Sequence, residues 1–460
     1  MPAFLSSSAL RALRDIYPGD ALVTDPAELL VYGADASRGR AQPWAAVLPE
    51  RPEQVVETLR LAHLERIPVY PRGRGTNRVG ACLPLEGGLV IATARLNRIL
   101  EITPEDFACT VQPGVITAAL RDACAARGLL YAPDPASVAY STIGGNLAQN
   151  AGGLRALKYG TTRDWVLGLH AALPGGSILR TGSRCHKDVA GLDLTRLFVG
   201  AEGTLGFVLQ ATLKLIPLPQ ASASLLAVFA AEDQAPLAAA DALASGVLPA
   251  ALEYLSAEAM EALEHLGDAP WPAGGRSALL FKVDGSPESA RADLARLRNA
   301  LERHSPAFLE QGDTPAQEDR LWNPRRQISQ AAFHFGPNKA SDDIAVPRGQ
   351  VANAVARIRN IARSRGLVPV VFGHLGDGNL HVSLMHDASE PDQARHAAQA
   401  KQEVLALTIE LGGTISGEHG VGVSKLDWLE RMRGPEAVSI MRQVKAVFDP
   451  HGIMNPGKAY

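Results

Sequence analysis

Four glycine-rich segments crowd the first half of the chain and constrain its fold more than any other feature. Pro71-Arg72-Gly73-Arg74-Gly75-Thr76-Asn77 follows a short apolar run, Ile67 to Tyr70. Ser141-Thr142-Ile143-Gly144-Gly145-Asn146 precedes Asn150-Ala151-Gly152-Gly153, and Lys158-Tyr159-Gly160-Thr161-Thr162-Arg163-Asp164 comes next. Gly200-Ala201-Glu202-Gly203-Thr204-Leu205-Gly206 closes the set. Glycine lets the backbone turn tightly and bring its N–H groups against a ligand. Such a nest can hold a diphosphate without a lysine. The first segment is neither a Walker A motif nor a Gly-x-Gly-x-x-Gly fingerprint. Alone it reads equally well as a tight turn. Four such segments, with hydroxyls and few bulky side chains, suit a long polar cofactor held mostly by main chain.

The surrounding pattern is α+β. A helix is expected over residues 7–18. Strand, turn and helix follow at Ala45–Leu48, Pro52–Gln54 and Val55–His63, and a second strand at Ile67–Tyr70. Further strands are expected at Gly88–Ala92, Cys109–Val111 and Val166–Ala172, with a helix over 116–127. Pro217 and Pro219 mark a boundary. Beyond it, strands are expected at Leu225–Ala230, Ala278–Val283, Val368–Phe372 and Leu380–Leu384. Helical patterns cover 233–246, 256–265, 287–303 and 394–411, with a Gly/Pro loop at 266–276. The last stretch, Asp449–Lys458, reads by composition as a tail on the surface. This gives an N-terminal segment (1–37), a first α+β domain (38–217) and a second (218–458). At roughly 100–200 residues per domain, 460 residues accommodate them.

Composition removes several function classes. Apolar residues make up 46% and charged residues 20%, which excludes a disordered chain. Forty-five basic against 48 acidic side chains offer no general field for nucleic acid. Cys82, Cys109, Cys124 and Cys185 form no CxxC pair, so neither a disulfide framework nor an iron-sulfur cluster is expected. No apolar run reaches the roughly 20 residues of a membrane span. Met1–Ala9 has no basic region before its apolar part. A cytoplasmic protein is expected, including one peripheral to the inner membrane.

The second half carries the reactive side chains. In Gly373-His374-Leu375-Gly376-Asp377-Gly378-Asn379-Leu380-His381, a turn between two apolar strands folds the chain back, so that His374 and His381 reach one site. Ser416-Gly417-Glu418-His419-Gly420-Val421-Gly422 adds a carboxylate and a third imidazole. Two imidazoles and a carboxylate suit a catalytic divalent metal: Zn²⁺ first, with Mn²⁺ or Fe²⁺ equally compatible. A hydrogen-bonded hairpin with ordinary surface histidines, or a flavin site using them without metal, remains open at this point.

The ordered motifs Pro-Arg-Gly-x-Gly-Thr, Gly-Gly-Asn with Asn-Ala-Gly-Gly, Lys-Tyr-Gly and Gly-x-Glu-Gly-Thr-Leu-Gly resemble the FAD-binding domain of the vanillyl-alcohol oxidase/p-cresol methylhydroxylase superfamily. More narrowly, they resemble the group of glycolate oxidase large subunits, D-lactate dehydrogenases and D-2-hydroxyglutarate dehydrogenases, over roughly residues 40–457. The resemblance implies a two-subdomain FAD-binding domain of p-cresol methylhydroxylase type followed by a C-terminal substrate domain. It places the FAD pyrophosphate on Pro71, Arg72, Gly73, Arg74, Gly75, Thr76 and Asn77. Pro133, Ser141, Gly144, Gly145 and Asn150 would lie near the pyrophosphate and ribityl chain, with Gly203, Thr204 and Gly206 close by. Val208 would touch the adenine side, and Asn455, in the Asn-Pro-Gly-Lys signature, would bring the tail toward the flavin. With no histidine or cysteine at 71–80, the flavin is expected to be non-covalent. Ala201 departs from the usual Ser-Glu-Gly-Thr and removes one hydroxyl.

The resemblance also implies roles in the second half. His374, His381 and Glu418 hold the metal, and His419 is the general base at the substrate C2 hydroxyl. Arg325, in Trp322-Asn323-Pro324-Arg325, clamps the substrate carboxylate, with Lys339 as a second cation. The looser spacing around Lys339, and Ser383 where asparagine is expected, favour D-lactate or glycolate over a five-carbon diacid. The expected protein is an FAD-dependent D-2-hydroxy-acid dehydrogenase. A separate acceptor would take its electrons: a quinone, cytochrome, electron-transfer flavoprotein or iron-sulfur subunit. A homodimer is compatible. The alternatives are a D-2-hydroxyglutarate dehydrogenase, a non-catalytic flavin-binding subunit of a larger oxidase and, more remotely, a metal-dependent hydrolase.

Overall fold

The computed structural model describes residues 4–460 other than Asp268, Ala273 and Gly275. The first residues of the Met1–Ala9 stretch and these three positions of the 266–276 loop therefore lie outside the described residues. The rest forms two compact units that do not follow the chain linearly. Of the described residues, unit 1 comprises those within 4–153, 160–218 and 418–460, and unit 2 those within 154–159 and 219–417. Both are α+β.

Unit 1 begins with helix Ser7–Ile16, whose N-cap Ser6 accepts from the Ala9 amide at 3.0 Å. Its buried Ala9 and Leu13 pack with Val55 and Leu59 of helix Pro52–Glu65. That helix opens on a proline, and its Gln54 side chain accepts from the Glu50 and Arg51 amides. Both helices lie in one core with a four-stranded sheet of order β1-β2-β4-β3: β1 (Leu22–Val23), β2 (Ala45–Val47), β3 (Val69–Arg72) and β4 (Leu89–Ala92). β3 starts two residues later than expected and runs through Pro71, a residue tolerated at a sheet edge. The glycine loop therefore begins at Gly73.

A second, antiparallel sheet has the order β5-β6-β10-β8-β9. Its strands are β5 (Ile99–Thr103), β6 (Ala108–Val111), β8 (Val166–Ala172), β9 (Ile178–Gly182) and β10 (Phe207–Lys214). β7 (Leu129–Leu130) and β11 (Ile216–Pro217) pair separately. β10 was not expected, although Phe207, Leu209, Ala211 and Leu213 alternate inward along it.

The C-terminal stretch corrects the compositional reading. Val69 donates to Ile453 and Asn455 donates to Val69, both at 2.7 Å, which adds a rung to the edge strand β3. Met454, Asn455 and Lys458 are all buried. Asp449, also buried, accepts from Lys445 Nζ and the Ile453 and Met454 amides. The segment closes an open sheet edge, and that need outweighs its Pro/Gly composition.

Unit 2 is built on one seven-stranded antiparallel sheet of order β15-β12-β14-β13-β17-β18-β16. These are β12 (Ala221–Phe229), β13 (Ala251–Ser256), β14 (Ser277–Gly285), β15 (Phe308–Gly312), β16 (Asn338–Ala345), β17 (Val368–Gly373) and β18 (Asn379–His386). Leu226, Leu255, Leu280, Phe372 and Met385 form one core with Met260 of helix Ala257–His265 and Trp322 and Ile328 of helix Pro315–Ala331. The latter helix carries Pro324 in its interior, which hides it from pattern reading.

Candidate active site and cofactor cleft

Unit 1 contains a cleft whose walls come from all but one of the glycine-rich segments. Pro71, Gly73, Gly144, Gly145, Gly203 and Gly206 line it, with Phe198, Phe207 and Val208 as apolar walls. At two of these glycines a side chain would not fit. A Cβ on Gly73 would meet Thr142 Oγ1 at 2.6 Å, and one on Gly144 would meet Pro113 Cβ at 2.7 Å. Gly203 has φ +71°, a conformation that favours glycine. Thr93, which the sequence reading missed, also lines the cleft, and its buried hydroxyl has no partner among the described residues. An orphaned buried hydroxyl in a groove walled by glycines, apolar side chains and Arg72 fits a cofactor that brings its own polar atoms.

Several residues assigned to that cofactor spend their side chains on the protein. Arg72 donates to the Val31 carbonyl at 2.9 Å and to Cys82 Sγ, and Gly75 lies directly over its guanidinium. Asn77 holds its own loop by accepting from the Ala81 and Val79 amides. Ser141 meets the Thr117 hydroxyl at 3.0 Å, and Asn150 accepts from Thr161 and the Arg163 amide. Thr204 donates to the Ala201 carbonyl and meets the Tyr460 hydroxyl at 2.5 Å. Asn455 donates to the carbonyls of Ala81 and Glu202, while its buried Oδ1 has no partner among the described residues. Pro133 is buried, Arg74 is exposed and Thr76 is half-buried. These side chains set the shape of the loops.

Glu202, at φ +51°, has a specific task. Its carboxylate accepts from the amides of Val421 and Gly422 at 2.7 and 2.9 Å, just after His419. Burial pushes its carboxyl above the usual range, with those amides opposing the rise. A side chain at Gly420 would meet Glu202 and Gln149, so this turn requires a glycine. His419 itself is partly exposed, with Nε2 3.6 Å from Glu418 Oε1.

In unit 2, sheet register gathers the reactive groups. Directly paired residues share a face, so the pairs Asp343–His381, His381–Phe372 and Phe372–Leu255 lie on one side. Glu253, two residues before Leu255, is on that side too, opposite Leu280. The 3₁₀ turn Leu375–Asp377 returns the chain, leaving the rings of His374 and His381 with centroids 5.2 Å apart. Glu253 lies between a guanidinium and an imidazole: Arg325 Nε donates to its Oε2 at 2.5 Å, and His374 Nδ1 lies 2.5 Å from its Oε1. Burial would raise this carboxyl, but the charges and hydrogen bonds of Arg325 and His374 outweigh that and hold it down at about 2. An ionised carboxylate can only accept, so His374 carries a proton on Nδ1. The guanidinium of Arg325 stacks 4.8 Å over the Phe372 ring.

A second buried carboxylate, Asp343, stands 3.7 Å from His381 Nδ1 and accepts from Asn379 Nδ2 at 2.6 Å and Ser416 Oγ at 3.1 Å. Ligand atoms of His374, His381 and Glu418 lie within 4.8 Å of one another, Glu418 following directly on Gly417, the last residue of unit 2. The donor set fits a divalent cation, and a carboxylate beside each imidazole is the usual support for a metal-ligating histidine. Lys339 is turned elsewhere: its ammonium donates to the carbonyl and hydroxyl of Ser329 and sits over Phe333. Glu253 and Asp343 were absent from the sequence reading. A lone acidic residue in an apolar strand carries no motif, and β13 and β16 themselves went unrecognised.

Known proteins can now be set beside this geometry. The FAD binding domain family matches residues 43–182, and the family of FAD linked oxidases, C-terminal domain, matches residues 218–459. The glycolate oxidase subunit GlcD of Bacillus subtilis (strain 168) is 40% identical over 432 residues, covering 94% of this chain and 92% of the relative. The D-2-hydroxyglutarate dehydrogenase of Stutzerimonas stutzeri (strain A1501) is 35% identical over 453 residues, covering 97% of each. The crystal structure of p-cresol methylhydroxylase with substrate bound matches with a TM-score of 0.80. It covers 100% of this chain and 98% of that one at 17% identity, a likeness of fold.

Proposed function

The chain belongs to the FAD-linked oxidases of the vanillyl-alcohol oxidase/p-cresol methylhydroxylase superfamily, and on that premise we propose that it oxidises a D-2-hydroxy acid to the 2-oxo acid, with D-lactate or glycolate preferred. The observation that carries this reading is the anchoring of Arg325. Among the described residues its only hydrogen bond runs through Nε to Glu253, which leaves the terminal fork for a substrate carboxylate. The engagement of Lys339 with Ser329, and of Ser383 with Ser341, supports a small acid over a second-carboxylate substrate.

In this mechanism Arg325 binds the substrate carboxylate in a bidentate grip and sets the direction of the C2–H bond. Bound FAD supplies the two-electron acceptor for the hydride leaving C2. His374, His381 and Glu418 would hold a divalent cation, Zn²⁺ in the first instance, whose Lewis acidity would favour loss of the C2 hydroxyl proton. His419 accepts that proton from the hydroxyl oxygen, and Glu202 steadies the turn that carries it. Pro71 to Asn77, Gly144, Gly145, Gly203 and Gly206 hold the cofactor through main chain.

The electrons then pass to a separate acceptor. The glycolate oxidase relative is named as a subunit, which supports a protein partner. Among the described residues no helix is long and apolar enough to cross a membrane.

Anaerobic mixing of the FAD-loaded protein with D-lactate, glycolate and D-2-hydroxyglutarate tests this directly. Bleaching of the flavin by the two smaller acids, faster than by the diacid, is the expected result. Faster bleaching by D-2-hydroxyglutarate overturns the preference, and no bleaching by any of the three overturns the reading. A chelator-stripped sample should reduce slowly; unchanged reduction removes the metal from the mechanism.

A further inference from the structure

We propose that Glu253 is a shared positioning residue that sets the tautomer of His374 and divides its charge between His374 and Arg325, so that the metal site and the substrate clamp are linked through one carboxylate. This deepens the function proposed above and rests on it.

Three facts carry the argument. Glu253 is wholly buried on the core face of the sheet, between Ala251 and Leu255 on its own strand and across from Leu280. A carboxylate in such a place costs several kcal/mol unless fully paired, so its position calls for more than packing. Its two oxygens are divided one to each partner, Oε2 to Arg325 Nε and Oε1 to His374 Nδ1, both at 2.5 Å. Its partners come from distant parts of the chain, 72 and 121 residues away, and among the described residues no third group bonds to the carboxylate.

The chemistry follows from hydrogen-bond polarity. Both partners donate, and only a carboxylate can accept from both at once. Holding the His374 proton on Nδ1 leaves Nε2 as the ligand atom and raises its basicity. Because Arg325 draws on the same carboxylate, it moderates how strongly Glu253 acts on His374. Removing Arg325 should therefore strengthen the metal site, an outcome that a purely structural role for Glu253 does not produce.

Glu253→Gln separates these ideas. An amide can accept from one donor while it turns its own N–H toward the other, so His374 keeps its bond only by moving its proton from Nδ1 to Nε2, or Arg325 loses its bond. Zn²⁺ affinity, measured on FAD-loaded, metal-free protein by competition with a chromogenic chelator, should weaken about 10–100-fold. The ¹⁵N-histidine spectrum of the metal-free wild type should show His374 protonated on Nδ1, and the variant should shift toward Nε2. Arg325→Gln should bind Zn²⁺ roughly 3–10-fold more tightly, as a coupling free energy between neighbouring sites predicts. It remains decisive if Glu253→Gln does not fold. Unchanged Zn²⁺ affinity in Glu253→Gln overturns the orienting role, and unchanged or weaker binding in Arg325→Gln overturns the sharing. A wild type that binds no Zn²⁺ overturns both. None of these readouts needs turnover, so failure of every 2-hydroxy acid to reduce the flavin would count against the proposed activity and leave this test standing.

Discussion

The cleft of unit 1 and the sheet face of unit 2 solve opposite problems. The cleft is walled by glycines and apolar rings, and Arg72, its nearest cation, is tied back to Val31. The sheet face buries two carboxylates, Glu253 and Asp343, against two imidazoles and a guanidinium. A long cofactor needs close approach of backbone, which small residues permit. A reacting hydroxy acid needs charge held at fixed points, which only paired side chains can provide in a low dielectric. The first solution is written in consecutive residues and the second is assembled across the sheet.

The sharpest way to separate the two regions is His419→Ala. Flavin reduction by D-lactate or glycolate should slow by roughly 10²–10⁴-fold, while FAD stays bound; stopped-flow absorbance reads the rate and gel filtration the flavin content. Unchanged reduction would reject His419 as the base.

Asp449→Ala probes the chain end that pairs with β3. It removes the acceptor of Lys445 and of the Ile453 and Met454 amides, and so loosens the strand that covers the β3 edge. A stability loss of about 2–4 kcal/mol is expected from chemical denaturation. A loss within experimental error would show that the C-terminal rung is held by apolar packing alone.

Gly144→Val breaks the cleft without touching the sheet face. The added side chain meets Pro113, and the strain of about 1–3 kcal/mol should appear as a roughly 10–100-fold weaker FAD dissociation constant in fluorescence titration. Zn²⁺ affinity should be unaltered, and a parallel loss of Zn²⁺ would argue that the two regions are one.

The smallest effect concerns pH. Lys458 donates to the Leu83 carbonyl at 2.7 Å in a buried position. Burial lowers its ammonium from 10.5 to about 8, against the opposing pull of Cys82, Glu202, Glu86 and Asp35. The folded value lies below the unfolded one. Between about 8 and 10.5 the unfolded chain therefore holds a proton that the folded chain has released, and this group stabilises the fold progressively as pH rises through that window. Lys458→Met should flatten that rise in melting temperature measured between pH 7 and 10.5. The same slope in both proteins would reject the assignment.

Legibility in the sequence followed the range of the interactions. The turn between His374 and His381 spans seven residues, and its glycines announce it. Helix Pro315–Ala331 went unread because Pro324 interrupts the pattern, although Trp322 fixes it by donating to Ser224 at 2.9 Å from 98 residues away. β10 alternates cleanly over Phe207–Lys214, but the glycine motif directly before it masks that alternation. Asp449–Lys458 was misread because composition describes local stiffness and says nothing of an unpaired strand edge elsewhere.

The order of motifs by itself carried the resemblance to FAD-linked oxidases of α+β class, because a glycine loop's backbone freedom is a property of consecutive residues. Which nitrogen of His374 faces a carboxylate, which side chain anchors Arg325 and where the chain end is buried were decided only by tertiary structure. Each of those depends on a hydrogen bond or a strand edge whose partner lies many residues away, and residue order does not encode that distance.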